Sequence, residues 1–310
     1  MRKILITGGL GYIGQIFIKL FSPKDKIVLL DNLTFNQDSQ NILKKIPNIK
    51  FIKGDVRDED LIKEISKKID FVFPLAGLVG APLCKKKPKE AKEVNQDSIK
   101  LLCENIPSNA KIIIPTTNSG YGVGSKEDFC TEESPINPIS VYGVTKMAAE
   151  KYVLDRGNAI SLRLATVFGM SPRMRLDLLV NNFCHIAVSK GKIDIFEGHF
   201  RRNFVHVTDV ARAFIFCMEN FDKLKNNVFN FGLDEANLTK LDLAKKIKKY
   251  VPNFKITENE FEKDPDQRDY IVSNKKILGT GFKFKVGIEE GIKELVAEIP
   301  KLPKKSFSNV

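Results

Sequence analysis

A short apolar run, Lys3–Thr7, passes without a spacer into Gly8-Gly9-Leu10-Gly11-Tyr12-Ile13-Gly14, and few folds accept that order of residues. Glycines at 8, 11 and 14 open a helix after a strand, where the main chain can approach a pyrophosphate and hold it on backbone N–H groups and the helix N-terminus. Asp31 closes the second apolar run, about 20 residues on, where a carboxylate accepts hydrogen bonds from an adenosine ribose. Asn32 follows it with no arginine alongside. That favours NAD over NADP, because a 2′-phosphate would meet a carboxylate.

Apolar runs alternate with helical patterns through roughly the first 165 residues, the signature of βαβ units and a parallel sheet. Strands are expected at Lys3–Thr7, Lys26–Asp31, Ile49–Lys53, Phe71–Leu75, Ala110–Pro115 and Ala159–Leu164, and helices at Tyr12–Phe21, Asp58–Lys67, Pro88–Glu104 and Tyr142–Asp155. The fold class is therefore α/β, a doubly wound parallel Rossmann sheet with a smaller mixed α/β lobe. Beyond Phe168 the cadence loosens: a helix at Leu176–Lys190, short strands near Lys192–Phe196 and Asn203–Val207, and a helix from Asp209 to Asn220, capped by Thr208 or Asp209. The expected division is residues 1–168 as the dinucleotide unit, with 203–228 packing back on it, and 169–202 with 229–310 as the substrate lobe.

Length and composition narrow the classes. The chain has 310 residues, 43% hydrophobic and 28% charged, the balance of a globular protein with a large core. No apolar run reaches the ~18–20 residues of a membrane span, and the N-terminus lacks a signal-peptide core, so a cytoplasmic protein without a membrane partner is expected. The five cysteines are scattered without metal spacing, which indicates no metal site. Cys84, without an identified cationic neighbour, reads as inert packing. The net charge of +12 comes mostly from separated lysines with no aromatic interleaving, so no nucleic-acid partner is expected.

A second constellation carries chemistry. Tyr142 and Lys146 stand one helical turn apart on the same face, and an ammonium near a phenol lowers its pKa so that tyrosine can take a proton from an alcohol. Upstream, Pro115-Thr116-Thr117-Asn118-Ser119-Gly120-Tyr121-Gly122 follows the fifth expected strand and places hydroxyls at the sheet's C-terminal edge, where ligands bind in such folds. Arg173 and Arg175, in a turn before the next helix, suit a diphosphate or a dicarboxylate.

Along nearly its whole length the chain resembles the extended short-chain dehydrogenase/reductases, the NAD-dependent nucleotide-sugar epimerase and dehydratase family. The matching segments are Thr7–Gly14, Asp31–Leu33, Gly54–Asp58, Pro74–Gly77, Asn95, Thr116–Gly122, Tyr142–Lys146 with Glu150, Arg163–Gly169 and Arg202–Val207. The resemblance implies Tyr142 as catalytic base, Lys146 orienting the nicotinamide ribose and Thr117 bonding the reacting hydroxyl. For the cofactor it implies Gly8, Gly11, Tyr12, Ile13, Gly14, Asp31, Asn32, Asp55 and Val56, then Leu75, Ala76 and Gly77, with Asn95 and Thr116. On the substrate side stand Val79, Thr117, Asn118, Ser119, Arg173 and Arg175, with Asn181, Arg202 and Arg268 meeting the sugar-nucleotide diphosphate. A homodimer through the helices at Pro88–Glu104 and Tyr142–Asp155 is also implied.

Departures from the family pattern narrow the reaction. Its dehydratases carry Asp-Glu directly after the threonine; Asn118 and Ser119 stand there instead, and neither serves as acid or base for elimination. The family members resembling GDP-fucose synthase place a cysteine at the Ser119 position. Oxidation or reduction at the sugar 4-position remains, as a net dehydrogenase or a 4-epimerase cycle. Segments Pro74–Cys84 and Leu164–Asn181 resemble the GDP-heptose 4-dehydrogenase group of the family, in capsule or surface polysaccharide biosynthesis. This implies a GDP-sugar substrate and 2-oxoglutarate as co-substrate; the alternative is a UDP-sugar 4-epimerase with transient NADH. A non-catalytic NAD-binding regulator is disfavoured, since Thr117, Tyr142 and Lys146 are all present.

Overall fold

The computed structural model describes residues 1–35, 39–124, 128–259, 268–303 and 307–309. Its strands are β1 Lys3–Thr7, β2 Lys26–Asp31, β3 Ile49–Lys53, β4 Phe71–Pro74, β5 Lys111–Thr117, β6 Ala159–Leu164, β7 Thr166–Phe168, β8 Lys192–Phe196, β9 Arg201–His206, β10 Asn227–Phe231, β11 Asn237–Thr239 and β12 Lys255–Asn259. The helices are α1 Gly14–Phe17, α2 Glu59–Ser66, α3 Ala81–Lys86, α4 Pro88–Lys92, α5 Ser98–Asn105, α6 Val141–Arg156, α7 Leu179–Ser189, α8 Val207–Glu219, α9 Phe221–Leu224, α10 Lys240–Lys248, α11 Lys275–Gly279 and α12 Ile288–Glu298.

Seven parallel strands make the main sheet in the order β10-β6-β5-β4-β1-β2-β3. Alternate side chains of β1 point to opposite faces: Ile4 and Ile6 pack with Phe17 of α1 and Phe214 of α8, while Leu5 packs with Ile62, Ile99 and Val153 of α2, α5 and α6. Both faces are thus covered by helices, which is why these strands read as continuous apolar runs. β1 and β4 are neighbours with β2 and β5 on their outer sides, so the order reverses between them. Ligands bind at such a switch point, beyond the carboxyl ends of the strands. The remaining strands form β11-β9-β7 and β12-β8, and a separate core of Phe168, Phe183, Leu243, Ile247 and Ile292 holds that side together.

Several expected boundaries differ for identifiable reasons. The first helix ends at Phe17 and tightens into a 3-10 turn, Ile18–Leu20, before Phe21 turns extended; Pro23, next but one, disfavours a helical Ser22. The expected Pro88–Glu104 helix is interrupted by a π-helical turn, Glu93–Asp97, of the kind found at functional sites. β5 runs two residues further than expected, so Thr116 and Thr117 lie on a strand end. The cap of α8 is His206, whose Nδ1 accepts from Thr208 N at 3.3 Å, rather than Thr208 or Asp209. Asp209 is buried and accepts instead from Lys285 N and Val286 N. No helix among the described residues is long and apolar enough to cross a membrane.

Candidate active site

The glycine turn is shaped by close packing. Gly8 sits at φ +69°, and a Cβ there would lie 2.5 Å from Ala76 N, so only glycine lets this turn press against the segment after β4. Gly11 N donates to Gly8 O at 3.1 Å. Asp31 is fastened to the same turn: its Oδ2 accepts from Leu10 N at 3.0 Å and its Oδ1 from Leu33 N at 2.9 Å. Burial pushes the Asp31 carboxyl above its ordinary pKa, against those two donors and the charge of Arg173. Asp55 is held down to about 2 by its hydrogen bonds from the Arg57 guanidinium.

The opposite end carries the hydroxyls. Thr117 Oγ1 donates to Ser119 Oγ at 2.9 Å, accepts from Ser119 N at 3.1 Å, and Arg268 Nη1 also reaches Ser119 Oγ. Tyr142, in the first turn of α6 after the Ser140 cap, lines the same cavity as Thr117. The expectation that the lysine would lower the phenol's pKa is not met. Enclosure pushes Tyr142 up to about 12 with Cys84 adding to it, while Arg268, Arg175 and Thr117 act in the opposite sense. Lys146 is itself pushed down to about 8 by burial, against Cys84 and Glu150. Desolvation outweighs the charges on both groups. Cys84 is buried, and burial pushes its thiol up to about 11 although Lys146 acts on it.

Behind this end lies a closed polar network. Arg163 of β6 pairs with Glu150 of α6, and Glu150 Oε2 also accepts from Thr116 Oγ1 at 2.9 Å and Ser161 Oγ at 2.6 Å. Burial works against the Arg163 charge, but Glu150 holds its pKa above the ordinary value.

A cavity of about 510 Å³ joins the two ends, within the range of cofactor sites. Of the expected cofactor residues, Gly8, Gly11, Tyr12, Ile13, Gly14, Asp31, Asn32, Asp55, Val56, Leu75, Ala76, Gly77, Thr116, Tyr142 and Lys146 line it. Val79, Thr117, Ser119, Arg173, Arg175 and Arg268 line it too. Carboxylates at one end, a glycine turn between and a lysine with hydroxyls at the other match the parts of a dinucleotide in order, so the residues fit NAD.

Four expected residues lie outside that lining. Asn95 sits in the π-helical turn and clasps the backbone of Leu78, accepting from its N at 2.8 Å and donating to its O at 2.9 Å. It shapes the loop after β4 from behind. Asn118 is turned inward and buried, its amide without a partner. Asn181, fully buried, accepts from Gly169 N at 3.0 Å and donates to Tyr12 Oη at 3.1 Å and Arg175 O at 2.9 Å, bracing the cavity wall. Arg202 is buried and donates to the carbonyls of Arg201 and Arg268.

Arg175 pairs with Asp177 and its charge reaches Tyr142, whereas Arg173, pushed down by burial and by the charge of Arg175, acts also on Asp31. An arginine charge therefore reaches Asp31 although none stands beside it in sequence, because the fold brings residues 142 apart in sequence to one cavity. Phe35 and Asn309, which also line this cavity, are absent from the sequence expectations. Nothing in their local sequence marks them, since only the fold brings residues 307–309 to the cavity.

Residues 4–232 match the model of the NAD dependent epimerase/dehydratase family. A UDP-glucose 4-epimerase of Lactobacillus helveticus is 31% identical over 79% of this chain and 81% of that protein. A dTDP-D-glucose 4,6-dehydratase of Dictyostelium discoideum is 29% identical over 80% of this chain, which spans 62% of that protein's length, under two thirds. The crystal structure of UDP-glucose 4-epimerase with UDP-glucose from Thermotoga maritima superposes with a TM-score of 0.83 at 27% identity, over 96% of this chain and 99% of that one. With glycine turn, Asp31 and the Thr117–Tyr142–Lys146 constellation on one cavity, the chain belongs to the NAD-dependent epimerase/dehydratase family, and NAD is its cofactor.

Proposed function

We propose that the protein interconverts the C4 epimers of a nucleotide-linked sugar, with a UDP-sugar as the favoured substrate, through a 4-keto sugar that stays bound. The carrying observation is the turn after β5. Thr117 and Ser119 offer hydroxyls to the cavity while Asn118 is turned away from it, so the turn holds no carboxylic acid to drive elimination of water. Likeness to UDP-glucose 4-epimerases supports the UDP-sugar. The GDP-heptose 4-dehydrogenase expectation, with its GDP-sugar and 2-oxoglutarate, draws no support from these relatives.

In this reading Thr117 and Tyr142 bracket the sugar 4-hydroxyl. Tyr142 Oη takes the hydroxyl proton on oxidation and, as a neutral phenol, returns it to the keto oxygen after the sugar has turned its other face. Arg268 and Arg175 favour the phenolate that takes the proton at the start of each cycle and is restored at its end. Lys146 orients the nicotinamide ribose. NAD supplies the hydride acceptor and, once reduced, the donor. Asp31, Asp55 and Val56 take the adenosine, and residues 1–168 with 203–228 form the unit that holds the cofactor. The homodimer is proposed through α5 and α6, where Val144 is 49% exposed; light scattering reports it.

The test incubates the purified protein with UDP-glucose, then with GDP sugars, following near-ultraviolet absorbance of reduced nicotinamide and the product's C4 configuration. An epimerised UDP-sugar without a persisting band is expected. A band that accumulates with a GDP sugar and discharges on adding 2-oxoglutarate establishes the dehydrogenase instead.

A further inference from the structure

Arg173 is 2% exposed, yet it lines the cavity. Its guanidinium lies 4.4 Å from the centroid of the Phe35 ring, Nη2 donates to Asn309 Oδ1 at 2.5 Å, and its charge acts on Asp31. The buried Nε–H has no hydrogen-bond partner. Burying a guanidinium with an unused donor is costly unless an acceptor meets it. Two segments far apart in sequence converge on this side chain of the loop before α7: the loop after β2 and residues 307–309, which Leu176 ties down by donating to Phe307 O at 2.7 Å. Such convergence on a side chain whose charge acts on Asp31 is not what a sugar-binding arginine requires.

We propose that Arg173 binds the cofactor, presenting its guanidinium to an oxygen of the dinucleotide's adenosine half. With Phe35 and Asn309 it closes that end of the cavity and keeps the dinucleotide bound between turnovers. The proposal rests on the reading of this cavity as the NAD site. It gives Arg173 a cofactor role in place of the substrate role expected from its sequence. It also accounts for the stacking, since a planar guanidinium held against a ring keeps its donors aimed in one direction.

The experiment titrates cofactor-stripped wild type, Arg173→Gln and Asn309→Ala with NAD, ADP-ribose and UDP-glucose by calorimetry, and follows NAD release by stopped-flow fluorescence. Arg173→Gln is expected to weaken NAD and ADP-ribose roughly tenfold or more, the scale of one charged hydrogen bond, with UDP-glucose affinity within about twofold of wild type. Asn309→Ala, which leaves the guanidinium in place without its anchor, is expected to speed NAD release. Unchanged NAD and ADP-ribose affinity with weakened UDP-glucose overturns the proposal and returns Arg173 to the substrate. If Arg173→Gln does not fold, Asn309→Ala decides: unchanged release overturns the proposal. A wild type that binds UDP-glucose but neither dinucleotide probe overturns the NAD reading of the cavity itself.

Discussion

Glu150 and Arg163 meet at 2.6 Å inside the protein, each with a side chain only 6% exposed, and this pair ties the helix that carries Tyr142 and Lys146 to the sheet that carries Thr117. Glu150 lies one turn beyond Lys146 on α6, while its second oxygen accepts from Thr116, the neighbour of Thr117. The pair thus spans both halves of the proposed reaction centre from behind.

Removing one partner of a buried ion pair leaves the other charge uncompensated. Glu150→Gln is expected to lower unfolding free energy by ~3–5 kcal/mol, read from urea denaturation. A loss under about 1 kcal/mol would show that the network contributes little to holding α6 on the sheet.

Tyr142→Phe keeps the ring and removes the proton carrier. Turnover is expected to fall by ~100- to 10,000-fold, with NAD affinity and circular dichroism close to wild type. Retained turnover in this variant would exclude Tyr142 as the acid and base.

Lys146 supplies a pH signature. Its folded pKa is about 8 against 10.5 for an ordinary lysine, so between those values the unfolded chain binds more protons and stability rises with pH. Below about 8 both states are protonated and the full cost of burying the ammonium is present, on the order of 3 kcal/mol. Lys146→Met, with nothing to titrate, should be more stable than wild type at pH 7 when stripped of cofactor. That advantage should shrink steadily toward pH 10; thermal melts showing a constant difference would contradict the buried ammonium.

Local patterns made much of the fold readable. β1, β2, β3 and β6 match their expected spans because buried parallel strands are short apolar runs bounded by turns. β7, β10, β11 and β12 went unread: three or five residues with polar members become strands only through a partner, as when Asn227–Phe231 pairs with β6. The π-helical turn is equally silent in sequence, since the pull on it is Asn95's clasp of Leu78, made across the loop after β4.

The sequence by itself determined the dinucleotide turn, the acid at Asp31 and the Thr117, Tyr142 and Lys146 constellation, because each depends on spacing within one strand–turn–helix unit. Tertiary structure alone decided what surrounds them. It placed Arg173 against Phe35 with its charge acting on Asp31, turned Asn118 away from the cavity, put Asn181 and Arg202 into supporting contacts, and raised the Tyr142 pKa. Burial and charge at a point are sums over every segment that converges there, and no local stretch of chain contains that sum.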